Sequence, residues 1–565
     1  MKRSNYLILF ILAATLMACS FKKPVVSYEL SPEASYNYIL GSQAELRKKW
    51  NRALEHYIAA QKADPDSPFL QLEVARMYYY TNNNEQARQI GEKVLEQNPD
   101  YIPAMLFLGN VYKNQEEFEK AINMYKEVLK REPDSINIYF LLTSIYAQEQ
   151  NIDMAKKTLQ DLLTLYPDNI IAMYYLGKYH IETEQYQEAV TVLERARQLN
   201  EEMLPIYMLL GVAYENLGNI KEAERIYFES VQINPYNISA KEELARILLK
   251  QKKIDIAIEQ LNEILQMQPD NVDVQIKIAL IYGDNGQFDK ALEIINRLID
   301  TKPDDPKLRF YLGRIYEKAE QYEDAMKQFR DVITMDPKNI DGYLHLGFTY
   351  EKLNRTDDAV RTYEEILTFD KDNPDVYLYL SFLYLKQKDY QKAQEVIQQG
   401  LAIDSEHDEL NFYLAVVYEK MKRFDDMVNQ LKKTIELHPE YDEALNYLGY
   451  SYAEKGMNLD EAMDLIMRAI KISPDSGYIR DSLAWVYYKK GMYEKALEEI
   501  KKAILQVEND PVISEHLGDI YYELKDYKSA KDAWQKSIEF QKDENEIEQT
   551  NRVREKLRRL EELTP

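Results

Sequence analysis

From about residue 34 onward, apolar and small residues recur in an order that restarts every 34 positions. In one copy Leu108 and Gly109 are followed by Tyr112, Ala121, Tyr125 and Pro133, and one step on stand Leu142, Tyr146, Ala155 and Pro167. The order returns at Leu210-Gly211, Tyr214, Ala223, Tyr227 and Pro235, then at Leu312-Gly313, Tyr316, Ala325, Phe329 and Pro337. Leucine and tyrosine three and four positions apart lie on one helical stripe, which must be buried. The small residue on each helix lets its partner approach closely, and the Pro-Asp pair near the end of a copy stops the second helix. Such a helix pair cannot cover its own apolar face, so stacked neighbours must supply a continuous core.

Fifteen copies are in phase, beginning near Ala34, Phe69, Ile102, Ile136, Ile170, Leu204, Ile238, Val272, Pro306, Ile340, Pro374, Asp408, Asp442, Gly477 and Pro511. The thirteenth holds one extra residue between Tyr452 and Ala462. The fifth, tenth, eleventh and fourteenth lack the terminal proline in register, and the twelfth has Met427 where the small alanine belongs. Residues 544–563 break the pattern, but Ile547, Val553, Leu557 and Leu560 fall on one stripe. That stripe predicts a capping helix with a polar outer face within 542–565.

The repeat resembles the tetratricopeptide repeat (TPR) over residues 34–541. The resemblance implies an all-α, right-handed superhelical solenoid of about fifteen helix-turn-helix units, with a concave partner surface. In that family the second, fifth, ninth and twelfth positions of each first helix face the groove. The fifth position here includes Phe310, Leu344, Leu378 and Phe412, after the interruption at Glu242. The ninth is polar early, with Arg76, Lys178, Arg246 and Arg314, and apolar later, with Phe348, Phe382, Val416, Tyr450 and Trp485. These nine apolar residues, Phe310 in repeat nine and the others in the repeats after it, are expected to form a partner groove across repeats ten to fourteen, its ninth-position members a continuous exposed patch. Glu351, Lys352, Glu419 and Lys420 would rim it. Apolar fifth positions exclude the lysine-and-asparagine clamp that holds chaperone tails.

The amino terminus carries a different signal. Lys2 and Arg3 precede an apolar run, Tyr6 to Ala18, too short to span a bilayer and the right length for a signal peptide. It ends in Leu16-Met17-Ala18-Cys19, which resembles a bacterial lipobox. The resemblance implies a signal peptide over 1–18, acylation of Cys19, and a lipidated tether over 19–33. Acyl chains hold a protein at a membrane at about 0.8 kcal/mol per buried methylene. Ser20 after the cysteine implies the outer membrane, facing the periplasm.

Composition narrows the rest. A net charge of -25 argues against nucleic acid and anionic lipid as main partners. One cysteine excludes a disulfide framework and a multi-thiolate metal site. The six histidines are scattered, and no phosphate-loop, dinucleotide or nucleophile-elbow motif occurs. With repeats filling the chain, a non-enzymatic scaffold without metal or cofactor is expected.

The last two repeats are more distinctive. Asp481-Ser482-Leu483 with Trp485, then His516-Leu517-Gly518-Asp519 with Trp534, resemble the carboxyl-terminal pair of large bacterial TPR outer-membrane lipoproteins. The LbcA/NlpI type within that set implies an adaptor that binds a periplasmic carboxyl-terminal-processing protease and presents protein substrates to it. The alternative is a structural or assembly subunit of an envelope machine for pilus biogenesis, polysaccharide export or secretion. Self-association is open to a long solenoid.

Overall fold

The computed structural model describes residues 30–541 and 547–563. Cys19 and the predicted leader lie outside them. Every regular element among the described residues is an α-helix, 31 in all. Two compact units divide the chain, Met1–Asp270 and Asn271–Pro565. The first holds repeats one to seven. The second holds repeats eight to fifteen and a last helix, Ile547–Leu563.

Repeat ten illustrates the unit. Its first helix, Ile340–Lys352, opens at Asn339, whose side chain accepts a hydrogen bond from the Gly342 amide. The cap satisfies one of the amides a helix start leaves without an intrahelical partner. The second helix, Thr356–Phe369, packs so closely on the first that a Cβ on Gly347 would strike the Tyr363 ring. The turn between them is closed by Asn354 in the left-handed region, φ 56°. Other repeats use the same turn with Gln150, Glu184 or Lys388, and some with Gly218 or Gly286.

Where Pro337 follows the second helix of repeat nine, Asp336 is driven to φ -130°, ψ 87°, and the helix ends. The fifth and eleventh repeats stop at the same place without proline. Asn200 and Asp404 each accept, through a side-chain oxygen, the amide hydrogen two residues on. The same turn is made by Asn234 and Asp336, which precede Pro235 and Pro337, so it accompanies the helix end with or without proline.

Two boundaries differ from expectation by one or two residues. The first helices of repeats one and two begin at Pro32 and Pro68, because Ser31 and Ser67 cap them and proline suits the first helical position. Met427 fills the small-residue site of repeat twelve and is fully buried. In the unit Met1–Asp270, Leu108, Tyr125, Leu142 and Leu159 belong to one continuous core. In the unit Asn271–Pro565, Phe329, Leu346, Tyr363, Leu380 and Ile397 do the same. The helix Ile547–Leu563 lays Val553 and Leu560 on Ala530 and Trp534 of the last repeat. Leu557 packs beside them, while the side chain of Ile547 is outside the described residues.

Candidate functional site

The nine apolar groove residues all lie on first helices of the second unit, but they do not form one exposed patch. Leu378 and Phe412 are core residues, and Phe310 and Leu344 are half-buried. Fifth-position side chains insert between successive first helices: Phe310 lies 5.1 Å from the His345 ring, and Phe412 lies 5.6 Å from Tyr447. Trp485 is only 6% exposed, because the His516 ring of the next repeat stacks on it at 4.0 Å and Tyr488 at 4.7 Å. Phe382, Val416 and Tyr450 are half-buried. Phe348 alone among the nine is exposed, at 38%.

A neighbouring column completes the surface. The sixth position of repeats nine to thirteen reads Tyr311, His345, Tyr379, Tyr413 and Tyr447. Tyr379 is exposed, and Tyr413 meets Phe382 edge-on at 4.6 Å. The signal was present as aromatic residues at a spacing of 34, one place beyond the positions the family resemblance singles out.

Four residues per first helix now fall on one face, at i, i+4, i+7 and i+11. They are Asp341, His345, Phe348 and Lys352 in repeat ten, then Asp375, Tyr379, Phe382 and Lys386 in repeat eleven. Repeat twelve gives Glu409, Tyr413, Val416 and Lys420, and repeat thirteen Glu443, Tyr447, Tyr450 and Glu454. The surface is thus an aromatic strip with an acidic row on one side and a largely lysine row on the other.

The lysine row is internally satisfied. Lys352 sits 5.1 Å from the Phe348 ring centre, Lys386 pairs with Glu351 at 3.3 Å, and Lys420 with Glu419 at 3.0 Å. Glu419 also accepts from the Tyr447 hydroxyl at 3.1 Å. On the acidic row, Asp375 meets only His407, at 3.1 Å, and all four carboxylates are exposed. Burial raises the Tyr379 and Tyr413 phenols, with Asp375 and Glu409 adding at the first and Glu409 and Glu443 at the second. Glu443 is held above the usual carboxylate range by its hydrogen bond with Asp442, then by burial and by charges that include Glu409.

The first unit differs. There the ninth-position cations are tied to carboxylates: Arg76 to Glu45 at 2.9 Å, Lys178 to Glu182 at 3.7 Å, and Arg246 to Glu215.

Comparison with known proteins identifies the repeat. Tetratricopeptide-repeat family models match residues 248–315, 316–381 and 350–550. The chain is built of tetratricopeptide repeats. A further model, the tetratricopeptide repeat protein 21 C-terminal ARM domain, matches 104–280. The TPR repeat-containing protein PA4667 of Pseudomonas aeruginosa is 36% identical over 72 residues, 13% of this chain and 12% of that protein's length. Among solved structures, the APC/C hetero-tetramer Cut9-Hcn1 is 16% identical, with 87% of this chain and 97% of that one covered, at a TM-score of 0.34. Naa15/Naa10 bound to HypK-THB is 14% identical, covering 92% and 99%, at 0.40. MamA is 23% identical, covering 29% and 95%, at 0.26.

At the carboxyl end the TPR first helices carry acids where earlier ones carry apolar groups. Asp481 and Glu515 hold the fifth position, and Asp519 a ninth. Glu515, almost fully buried, accepts from Arg552 at 2.7 Å and Lys556 at 2.7 Å on the last helix. Burial works against its charge, but those two cations outweigh it and hold the carboxyl down to about 2. Lys556 also reaches Asp519 at 2.6 Å, and Asp519 accepts the Trp534 indole hydrogen at 2.9 Å. The last helix is therefore held by ion pairs on one side and by Val553 and Leu560 on the other.

Proposed function

We propose that this TPR protein is a non-enzymatic protein-binding scaffold whose partner surface is the aromatic strip of repeats ten to thirteen. The observation that carries the reading is the exposure of Phe348 and Tyr379 side by side with Phe382 and Tyr413 on successive first helices. Large aromatic groups clustered in partly open positions are the usual anchors of protein interfaces. Phe310, Leu344, Leu378 and Phe412 set the spacing of the helices beneath, and Tyr450 and Trp485 shape the strip's far end.

The finer reading joins this surface to the amino-terminal signal. Cys19 would carry the acyl anchor and tether the scaffold to the outer membrane, on the periplasmic side. The resemblance of Asp481–Trp485 and His516–Asp519 to LbcA/NlpI-type adaptors supports a protease adaptor that presents substrates to a carboxyl-terminal-processing protease. Affinity capture from a bacterial envelope extract, with the Phe348→Ala/Tyr379→Ala variant as control, tests this. Recovery of such a protease, lost in the variant, supports the adaptor. Recovery of pilus or polysaccharide-export components instead replaces it with the structural-subunit role.

A further inference from the structure

The two edges of the aromatic strip are not equivalent, and the difference specifies what the strip would hold. The lysine edge is spent on neighbours, through Glu351, Glu419 and the Phe348 ring. Along the acidic edge, Asp341, Asp375, Glu409 and Glu443, the only described ion-pair partner is the His407 imidazole at Asp375, and Glu443 hydrogen-bonds its neighbour Asp442. These four carboxylates stand one repeat apart along four adjacent first helices, so their potentials add along a line.

A helix start favours acidic residues through the macrodipole, so the row needs a comparison. First helices of repeats two to seven have no acid in the first turn, nor do those of repeats fourteen and fifteen. Repeats ten to thirteen all have one. First-turn acids also stand singly in repeats one and eight, as Glu33 and Asp273, but among the described residues a run of them on four successive first helices occurs only in repeats ten to thirteen, beside the aromatic strip.

We propose, building on the scaffold reading above, that this face binds a cationic amphipathic segment of a partner protein. Its apolar side chains rest on Phe348, Tyr379, Phe382 and Tyr413, and its lysines or arginines lie along Asp341, Asp375, Glu409 and Glu443. A helix crossing four neighbouring helices at about 9 Å spacing covers roughly 30 Å, or about 20 residues. Charge along one flank fixes the segment's direction and speeds encounter, while the aromatic contacts slow its release.

The test is fluorescence anisotropy on the full chain with two labelled model helices of about 20 residues. Both share one leucine-and-phenylalanine stripe; one carries lysine along a flank and the other glutamate. The lysine peptide is expected to bind at least about tenfold tighter at low salt. The variant Asp341→Asn/Asp375→Asn/Glu409→Gln/Glu443→Gln should erase that preference. A matched variant on second helices, Glu365→Gln/Glu395→Gln/Asp425→Asn/Glu436→Gln, should keep it. Equal loss in both variants would mean attraction to net charge and would overturn the proposal, as would equal binding of the two peptides. If Phe348→Ala/Tyr379→Ala weakens both peptides while the acidic variant changes neither, the scaffold surface stands and the charge selection falls. If that aromatic variant weakens neither, the surface itself is wrong.

Discussion

Nδ1 of His516 lies 2.9 Å from Oδ1 of Asp481, and both side chains are buried on adjacent first helices. Burial alone would lower the imidazole, but Asp481, with Asp519 and Glu515 behind it, overcomes this and raises it. Arg552 and Lys556 face those acids from the last helix, and the Trp485 ring covers the imidazole. A raised folded-state value means the pair's stabilisation is complete below the ordinary histidine value of about 6.5 and is lost as pH rises through the raised one. Thermal melts of the full chain should therefore show the carboxyl-terminal transition weakening as pH rises above the ordinary histidine value of about 6.5. His516→Gln should flatten that dependence.

The last helix makes a sharper case. Replacing Arg552 and Lys556 together by alanine strands the buried Glu515 carboxylate, which costs about 3–5 kcal/mol. Hydrogen exchange over 511–540 should accelerate, and adding Glu515→Gln should restore much of the loss. Because Glu515 is held down to about 2, its contribution is present above the ordinary carboxylate value and disappears as pH falls toward 2.

Turn residues offer a test of local strain. Lys388 holds φ 60° and Glu116 φ 61°, a region that costs a side-chain-bearing residue about 1 kcal/mol. Lys388→Gly and Glu116→Gly should each stabilise by about 0.5–1 kcal/mol. Gly218→Ala, at φ 73°, should destabilise by about 1 kcal/mol. Urea denaturation of each variant checks the signs.

Close packing predicts a larger penalty at Gly313. A Cβ there would lie 2.6 Å from Cε1 of Phe329, which is fully buried and has no room to move. Gly313→Ala should cost about 1–3 kcal/mol, and Gly313→Ala/Phe329→Leu less than the sum of the single changes.

Much of this was legible in one dimension because the same packing problem is solved fifteen times. The Leu-Gly-Tyr order marks which face of each first helix is buried, and the proline marks where each second helix stops. The side-chain turns at Asn200 and Asp404 recur at Asn234 and Asp336 beside prolines, so the place where these second helices stop does not depend on proline. Exposure was less legible. Trp485 and Phe412 carry the residue types of a partner groove, yet they fill the space between first helices. Spacing alone cannot separate a side chain that enters that space from one beside it, such as Tyr379. The ion pairs of Glu515 were hidden for another reason: Arg552 lies in a helix outside the repeat, so no period connects them.

The most direct test of the partner surface is site-specific photo-crosslinking. A benzoylphenylalanine replaces Tyr379 on the strip in one full-length chain and Leu505, exposed on a second helix, in another. Both are irradiated in envelope extract. The account predicts a discrete adduct with a partner protein at 379, competed by the lysine peptide, and none at 505. An adduct at 505 with none at 379 would contradict it.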